Sequence, residues 1–264
     1  MKERIITGIC LLAVVLPLIF LGGYWLKGLL LVATVIATHE MIAMHDKKHR
    51  APLWIKGITF VGVLFVVFIP GFRTPDFFNA QYGSIVFTTL LIVINWIRVK
   101  KDQGDVRLYP LLIFYIGFSF RALLQIRNDS LALFIFLMAT VILTDSAAYF
   151  VGRLLGKHKL APKISPKKTI EGAVGGWLVG CGFALIFGST QNLFAQPWIL
   201  IVLATCVPIL SQMGDLVASA FKRHYDIKDY GKIFPGHGGV MDRIDSQMLA
   251  AILIYFMILG GGIR

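Results

Sequence analysis

SLALFIFLMATVILTDSAAYF, residues 130–150, is apolar almost to its end and carries one charged residue, Asp145. At about 1.5 Å of rise per residue, a helix of this length matches the roughly 30 Å hydrocarbon core of a bilayer. A carboxylate at the end of such a span is costly unless it is paired, hydrated or metal-bound. In isolation it reads as a helix-end Asp reaching back to water. The residues that follow are basic and Gly-rich, and they favour a functional site at this end of the span.

Working outward, comparable apolar runs recur at 5–22, 24–44, 53–70, 82–97, 108–126, 172–189, 197–218 and 246–262, so nine helices are predicted. The first run is read as a span rather than a cleaved leader, since Gly22-Gly23 leads at once into another apolar stretch. Hydrophobic residues make up 57% of the chain, charged residues only 15%, and the mean hydropathy is +0.76. These values point to an all-α, polytopic integral membrane protein with no soluble domain between its spans. Cys10, Cys181 and Cys206 fall in apolar runs without metal-ligand spacing and read as core residues.

The net charge of +12 invites a nucleic-acid reading, but the cations are divided among short loops between apolar runs. Membrane lipid is the better partner, and no nucleic acid is expected. With the N-terminus inside, the cytoplasmic segments hold most of the Lys and Arg. The opposite connections contain only Arg73 and Arg127. This bias predicts a cytoplasmic N-terminus, an external C-terminus, and two long polar loops, 151–171 and 219–245, facing the cytoplasm. A bacterial inner membrane is the expected location.

Both loops carry phosphate chemistry. In the first, Ser165-Pro166-Lys167-Lys168-Thr169 followed by Glu171 fits a turn into a helix start. Ser165 or Thr169 can cap it, and Lys167 and Lys168 can reach an anion near the helix N-terminus. Upstream of the second, Asp215, Ser219 and Lys222 or Arg223 recur on one helical face inside an apolar helix. The second loop, SAFKRHYDIKDYGKIFPGHGGVMDRID at 219–245, sets Lys222, Arg223, Lys228, Lys232 and Arg243 around a Pro-Gly-His-Gly-Gly turn. Its glycines, Gly238 and Gly239 among them, let backbone amides approach a polyanion. Asp242 and Asp245, three apart, share a face if the end of the run is helical. Carboxylates for a hard divalent cation, cations for phosphate and flexible glycines suggest phosphoryl or nucleotidyl transfer. Asp226 and Asp229 read as solvated loop residues. His39 and Glu40, inside the second span, either line a lipid entrance or make an inter-helix hydrogen bond. The glycines of 172–182 read as a small-residue helix contact.

The 219–245 run, with its S-x-F-K-R start, P-G-H-G-G turn and D-R-I-D end, resembles the signature of the phosphatidate cytidylyltransferases, or CDP-diacylglycerol synthases. The stretches D-S-A-A-Y-F-x-G-R-x-x-G-K at 145–157 and S-P-K-K-T-x-E-G-x-x-G-G at 165–176 are also similar to that family. Residues 1 to 125 resemble it in hydropathy alone. They are read as scaffold or lipid-facing helices, and 126–264 as the catalytic region.

The resemblance implies transfer of CMP from CTP to phosphatidate, with Mg²⁺ required. It makes Asp215 and Asp242 the expected metal ligands, with Asp245 and Asp145 as further ligands or their supports. Lys167, Lys168, Lys222, Arg223 and Arg243 then bind triphosphate or lipid phosphate, and Ser165, Ser219, Gly238 and Gly239 help to seat substrate. His237 takes a supporting role at phosphate or leaving group. A homodimer is the default assembly. The alternatives are a CTP-dependent lipid-alcohol kinase and, from another class, a transporter with a regulatory anion site. No internal repeat or pair of broken helices supports the transporter.

Overall fold

The computed structural model describes residues 2–68, 108–259 and 261–263. The expected span at 82–97 and the cations Arg73, Arg98, Lys100, Lys101 and Arg107 lie outside the described residues. The elements are α1 (Lys2–Leu21), α2 (Gly23–His45), α3 (Leu53–Phe68), α4 (Leu108–Asp129) and α5 (Leu131–Leu155), followed by β1 (Lys159–Ala161) and β2 (Ser165–Thr169). Then come α6 (Ile170–Thr190), α7 (Pro197–His224) and α8 (Met241–Leu259). The chain is predominantly helical, and α2, α4, α5, α6 and α7 are long and apolar enough to cross a membrane.

Local chemistry sets several boundaries. Ser130, in extended conformation, accepts the Leu133 N–H at 3.3 Å and starts α5. That helix runs past the expected end at 150 to Leu155, because Val151, Leu154 and Leu155 continue its apolar character. Likewise α7 continues past 218 and gathers Lys222, Arg223 and His224 in its last turn, where cations complement the helix dipole.

The chain clusters into two compact units. The first comprises Met1–Leu124 and Tyr225–Arg243. In it the Arg121 guanidinium donates to the Val67 carbonyl at 3.2 Å, and the buried His45 lies 3.3 Å from the Tyr109 hydroxyl. Lys48 pairs with Asp226 at 2.8 Å, which ties the 225–243 segment to the end of α2.

The second unit comprises Gln125–His224 and Ile244–Arg264. Its most extensive helix contact is α5 on α6, along Gly172, Gly176, Gly180, Ala184 and Gly188, all buried. A Cβ at Gly172 would stand 2.6 Å from the Ala148 carbonyl oxygen, and one at Gly176 would stand 2.6 Å from that of Thr144. The backbones therefore touch. In a bilayer, where apolar burial gives helices little reason to associate, such close packing is what joins them. The small-residue contact read from 172–182 is present, although a Cβ on Gly182 would meet nothing within 4 Å.

Among the described residues, a two-stranded antiparallel hairpin is the one departure from helix in regular structure. It pairs Lys159 with Thr169 and Ala161 with Ser165. The expected turn into a helix start at 165–169 is thus a strand that ends as a cap. Thr169 takes the capping role by accepting the Gly172 N–H at 3.2 Å, while Ser165 is a strand residue. Glu171 then accepts the N–H groups of Lys157 at 3.1 Å and His158 at 3.2 Å, with His158 Nδ1 2.6 Å away. Those bonds hold the entry to the hairpin against the start of α6.

Candidate active site

In the second unit, α5, the hairpin, α6 and α7 enclose a hollow of about 550 Å³. Asp145, Tyr149, Gly152 and Arg153 come from one face of α5, at i, i+4, i+7 and i+8. The hairpin supplies Lys159, Lys167, Lys168 and Thr169, while α7 supplies Gln212 and Asp215. Two carboxylates therefore share one hollow with four cations.

The Lys168 ammonium lies 2.8 Å from Asp215 Oδ2 and 3.5 Å from the Gln212 carbonyl. On its other oxygen Asp215 accepts the Ser219 hydroxyl at 3.3 Å, as the spacing of the two residues on α7 requires. The Lys168 and Asp215 side chains are 25% and 31% exposed, so their attraction is partly screened and contributes about 1 kcal/mol at most to stability. An arrangement worth so little to the fold, in a cavity lined by further cations, is suited to exchanging partners with a charged ligand.

The other candidates in this unit lie apart from that lining. Lys222 Nζ is 3.8 Å from Asp245 Oδ2, and both side chains are 12% exposed. Asp245 Oδ1 accepts the Ser246 N–H at 2.9 Å, and a Cβ on Gly214 would stand 2.5 Å from the Asp245 carbonyl oxygen. Here α7 and α8 meet backbone to backbone. Arg223 reaches the hairpin turn, donating to the Ile164 carbonyl at 3.3 Å.

The remaining candidates lie in the first unit. The Pro-Gly-His-Gly-Gly segment closes on itself through Phe234 N–H to the Gly238 carbonyl at 2.9 Å and Gly238 N–H to the Phe234 carbonyl at 3.0 Å. Gly236 and Gly238 have φ of 73° and 82°, a region that favours glycine. Asp242, in the first turn of α8, accepts the Tyr230 N–H at 2.8 Å and the Gly239 N–H at 3.0 Å on Oδ2. His237, Gly238 and Arg243 line a second hollow of about 500 Å³ with Lys228, Asp229 and Lys232. His237 Nδ1 is buried and has no hydrogen-bond partner among the described residues.

Arg153, Lys159, Tyr149 and Gln212 escaped the sequence reading as site residues. The signal for Arg153 and Tyr149 was their spacing from Asp145, which ending the helix at 150 hid for Arg153. Lys159 gave no signal beyond its charge, because its place depends on the pairing of β1 with β2.

The sequence matches the cytidylyltransferase family over residues 2–259, and the chain belongs to that family. The match extends through the N-terminal half, where hydropathy alone suggested kinship. A Bacillus subtilis (strain 168) protein named phosphatidate cytidylyltransferase is 37% identical to it, covering 98% of this chain and 97% of that protein. Proteins of the same name from Staphylococcus haemolyticus and Staphylococcus epidermidis are 32% and 33% identical, covering 98% of this chain and 99% of each.

Proposed function

We propose that this chain transfers CMP from CTP to phosphatidate, forming CDP-diacylglycerol and pyrophosphate. The observation that carries the reading is the hollow in which Asp145 and Asp215 face Arg153, Lys159, Lys167 and Lys168, in a chain related over nearly its whole length to proteins named for this activity. A phosphate monoester oxygen of phosphatidate forms a bond to the α-phosphorus of CTP as the bond to pyrophosphate breaks. The nucleophile is already anionic, so the protein must screen like charges, align the groups and stabilise the departing pyrophosphate. Arg153, Lys159, Lys167 and Lys168 supply cations for this, and Tyr149 adds an aromatic edge to the hollow.

Asp145 and Asp215 fit Mg²⁺, which is held by one or two carboxylates together with water and substrate phosphates. When bound there, Mg²⁺ neutralises and orients the phosphates. Asp145 and Asp215 would hold the ion, and Lys168, which now pairs with Asp215, would then be available to phosphate. Asp245, paired with Lys222, is assigned to metal binding or its support by the motif to which it belongs. Asp242, His237, Gly238, Gly239 and Arg243 are assigned to the reaction by the motif they form, Asp242 as a metal-binding carboxylate and His237 in support. Ser165, Ser219, Lys222 and Arg223 are assigned to substrate seating in the same way.

The proposal includes nine spans with the N-terminus in the cytoplasm of a bacterium, the reactive loops at the cytoplasmic face of its inner membrane, and a homodimeric assembly. Purified protein in detergent, given phosphatidate, Mg²⁺ and CTP labelled at the α-phosphate, should place label in the organic phase with pyrophosphate released in step. Release of CDP with phosphorylation of diacylglycerol would overturn the reading in favour of a kinase.

A further inference from the structure

Glu40 lies well inside α2 and is only 4% exposed. A carboxylate buried in a membrane helix is costly unless its oxygens are hydrogen-bonded. Here each oxygen takes a backbone donor from the start of α8. Val240 N–H donates to Oε1 at 3.1 Å, and Met241 N–H donates to Oε2 at 3.0 Å. The first amides of a helix have no acceptor within it, and its dipole favours a negative charge at that end.

The glycine turn is shaped around the same carboxylate. A Cβ on Gly239 would stand 2.1 Å from Oε1, and one on Gly231 would stand 2.2 Å from it. A side chain at either position would push the Glu40 carboxylate out of its place. The next link is Asp242, whose Oδ2 accepts the N–H groups of Gly239 and Tyr230. The amides of Gly239, Val240 and Met241 are thus taken in order by two carboxylates, one of which belongs to the motif assigned to the reaction.

We propose that Glu40 is a positioning residue for CMP transfer: by holding the Val240–Met241 backbone and filling the space beside Gly231 and Gly239, it fixes where Asp242 is presented. The proposal rests on the functional reading above. A helix cap that served stability alone would also be costly to remove, so the test needs a measurement local to the turn.

Glu40→Gln keeps the size and one acceptor oxygen but sets an NH₂ donor against a backbone donor. Amide hydrogen exchange and CMP transfer are measured on the purified full chain in one detergent. Glu40→Gln is expected to insert normally and to lose about tenfold or more in kcat, with the CTP KM changed less than about threefold. Exchange should quicken across 229–242 and stay unchanged across 159–176. Glu40→Asp, which retains the charge on a shorter stem, carries the same readouts if Glu40→Gln is not recovered from the membrane. Full turnover would overturn the proposal, as would lost turnover with exchange unchanged at 229–242 or quickened equally at 159–176. Absence of labelled lipid from the unsubstituted protein would instead sink the functional reading itself, while exchange would still report whether Glu40 holds the turn.

Discussion

Asp215 illustrates how a residue can matter to chemistry while contributing little to the fold. Its contact with Lys168 is partly screened, so Asp215→Asn should shift the melting temperature by no more than about 4 °C. Turnover should nevertheless fall on the order of a hundredfold if, as proposed, that charge holds Mg²⁺. Near-normal activity across a Mg²⁺ titration would remove Asp215 from the site. For Arg153→Ala the expected change is a rise of about tenfold in the KM for CTP, from the loss of one charged contact to phosphate. An unchanged KM would return Arg153 to the role of a topology determinant. At this scale the sequence was most legible where a polar residue stood against apolar surroundings, as Asp145 and Asp215 do. Glu40 stood out for the same reason, but its partners are 200 and 201 positions away, and no spacing rule reaches that far.

Among the elements, the α5–α6 contact offers a comparison between two glycines of one helix. Gly176→Ala drives a methyl group toward the Thr144 carbonyl oxygen and should destabilise by roughly 1–3 kcal/mol. Gly182→Ala meets nothing within 4 Å and should be neutral or stabilising by up to about 1 kcal/mol through helix propensity. Thermal melting of both variants in detergent checks the contrast, and equal losses would show that the seam is not set by close backbone approach. The apolar runs gave helix positions closely, since bilayer thickness forces their length. Their ends were less legible: Val151–Leu155, where Gly152 and Arg153 interrupt the apolar pattern, and Ser219–His224 both remain helical beyond the runs as read. The hairpin was illegible because its strands are short and its pairing, not its composition, defines it.

For the whole molecule, the bias of Lys and Arg makes a test that does not depend on the reaction. In a chain whose native cysteines have been replaced, single cysteines at 158–164 or 226–232 should react with an impermeant thiol reagent only after the cytoplasmic face is opened. One at 190–195 should react in intact cells. Labelling of all three from the same side would break the nine-span arrangement. Charge distribution predicts the orientation that this labelling tests, whereas the return of Tyr225–Arg243 to pack with Met1–Leu124 was not readable, being a contact between distant stretches.

The double duty of Thr169, last residue of β2 and cap of α6, governs which changes of chain length the protein can accept. Strand side chains alternate between faces, so one residue inserted between Lys168 and Thr169 would turn the lysine away from Asp215 while the cap stayed in place. Deleting one there would do the same. Adding a residue at 191–192, in the exposed turn that ends α6 and remote from the hollow, disturbs no such alternation. The segment from Ser165 to Gly172 is therefore a ruler as much as a set of side chains: its letters can be exchanged more safely than its count.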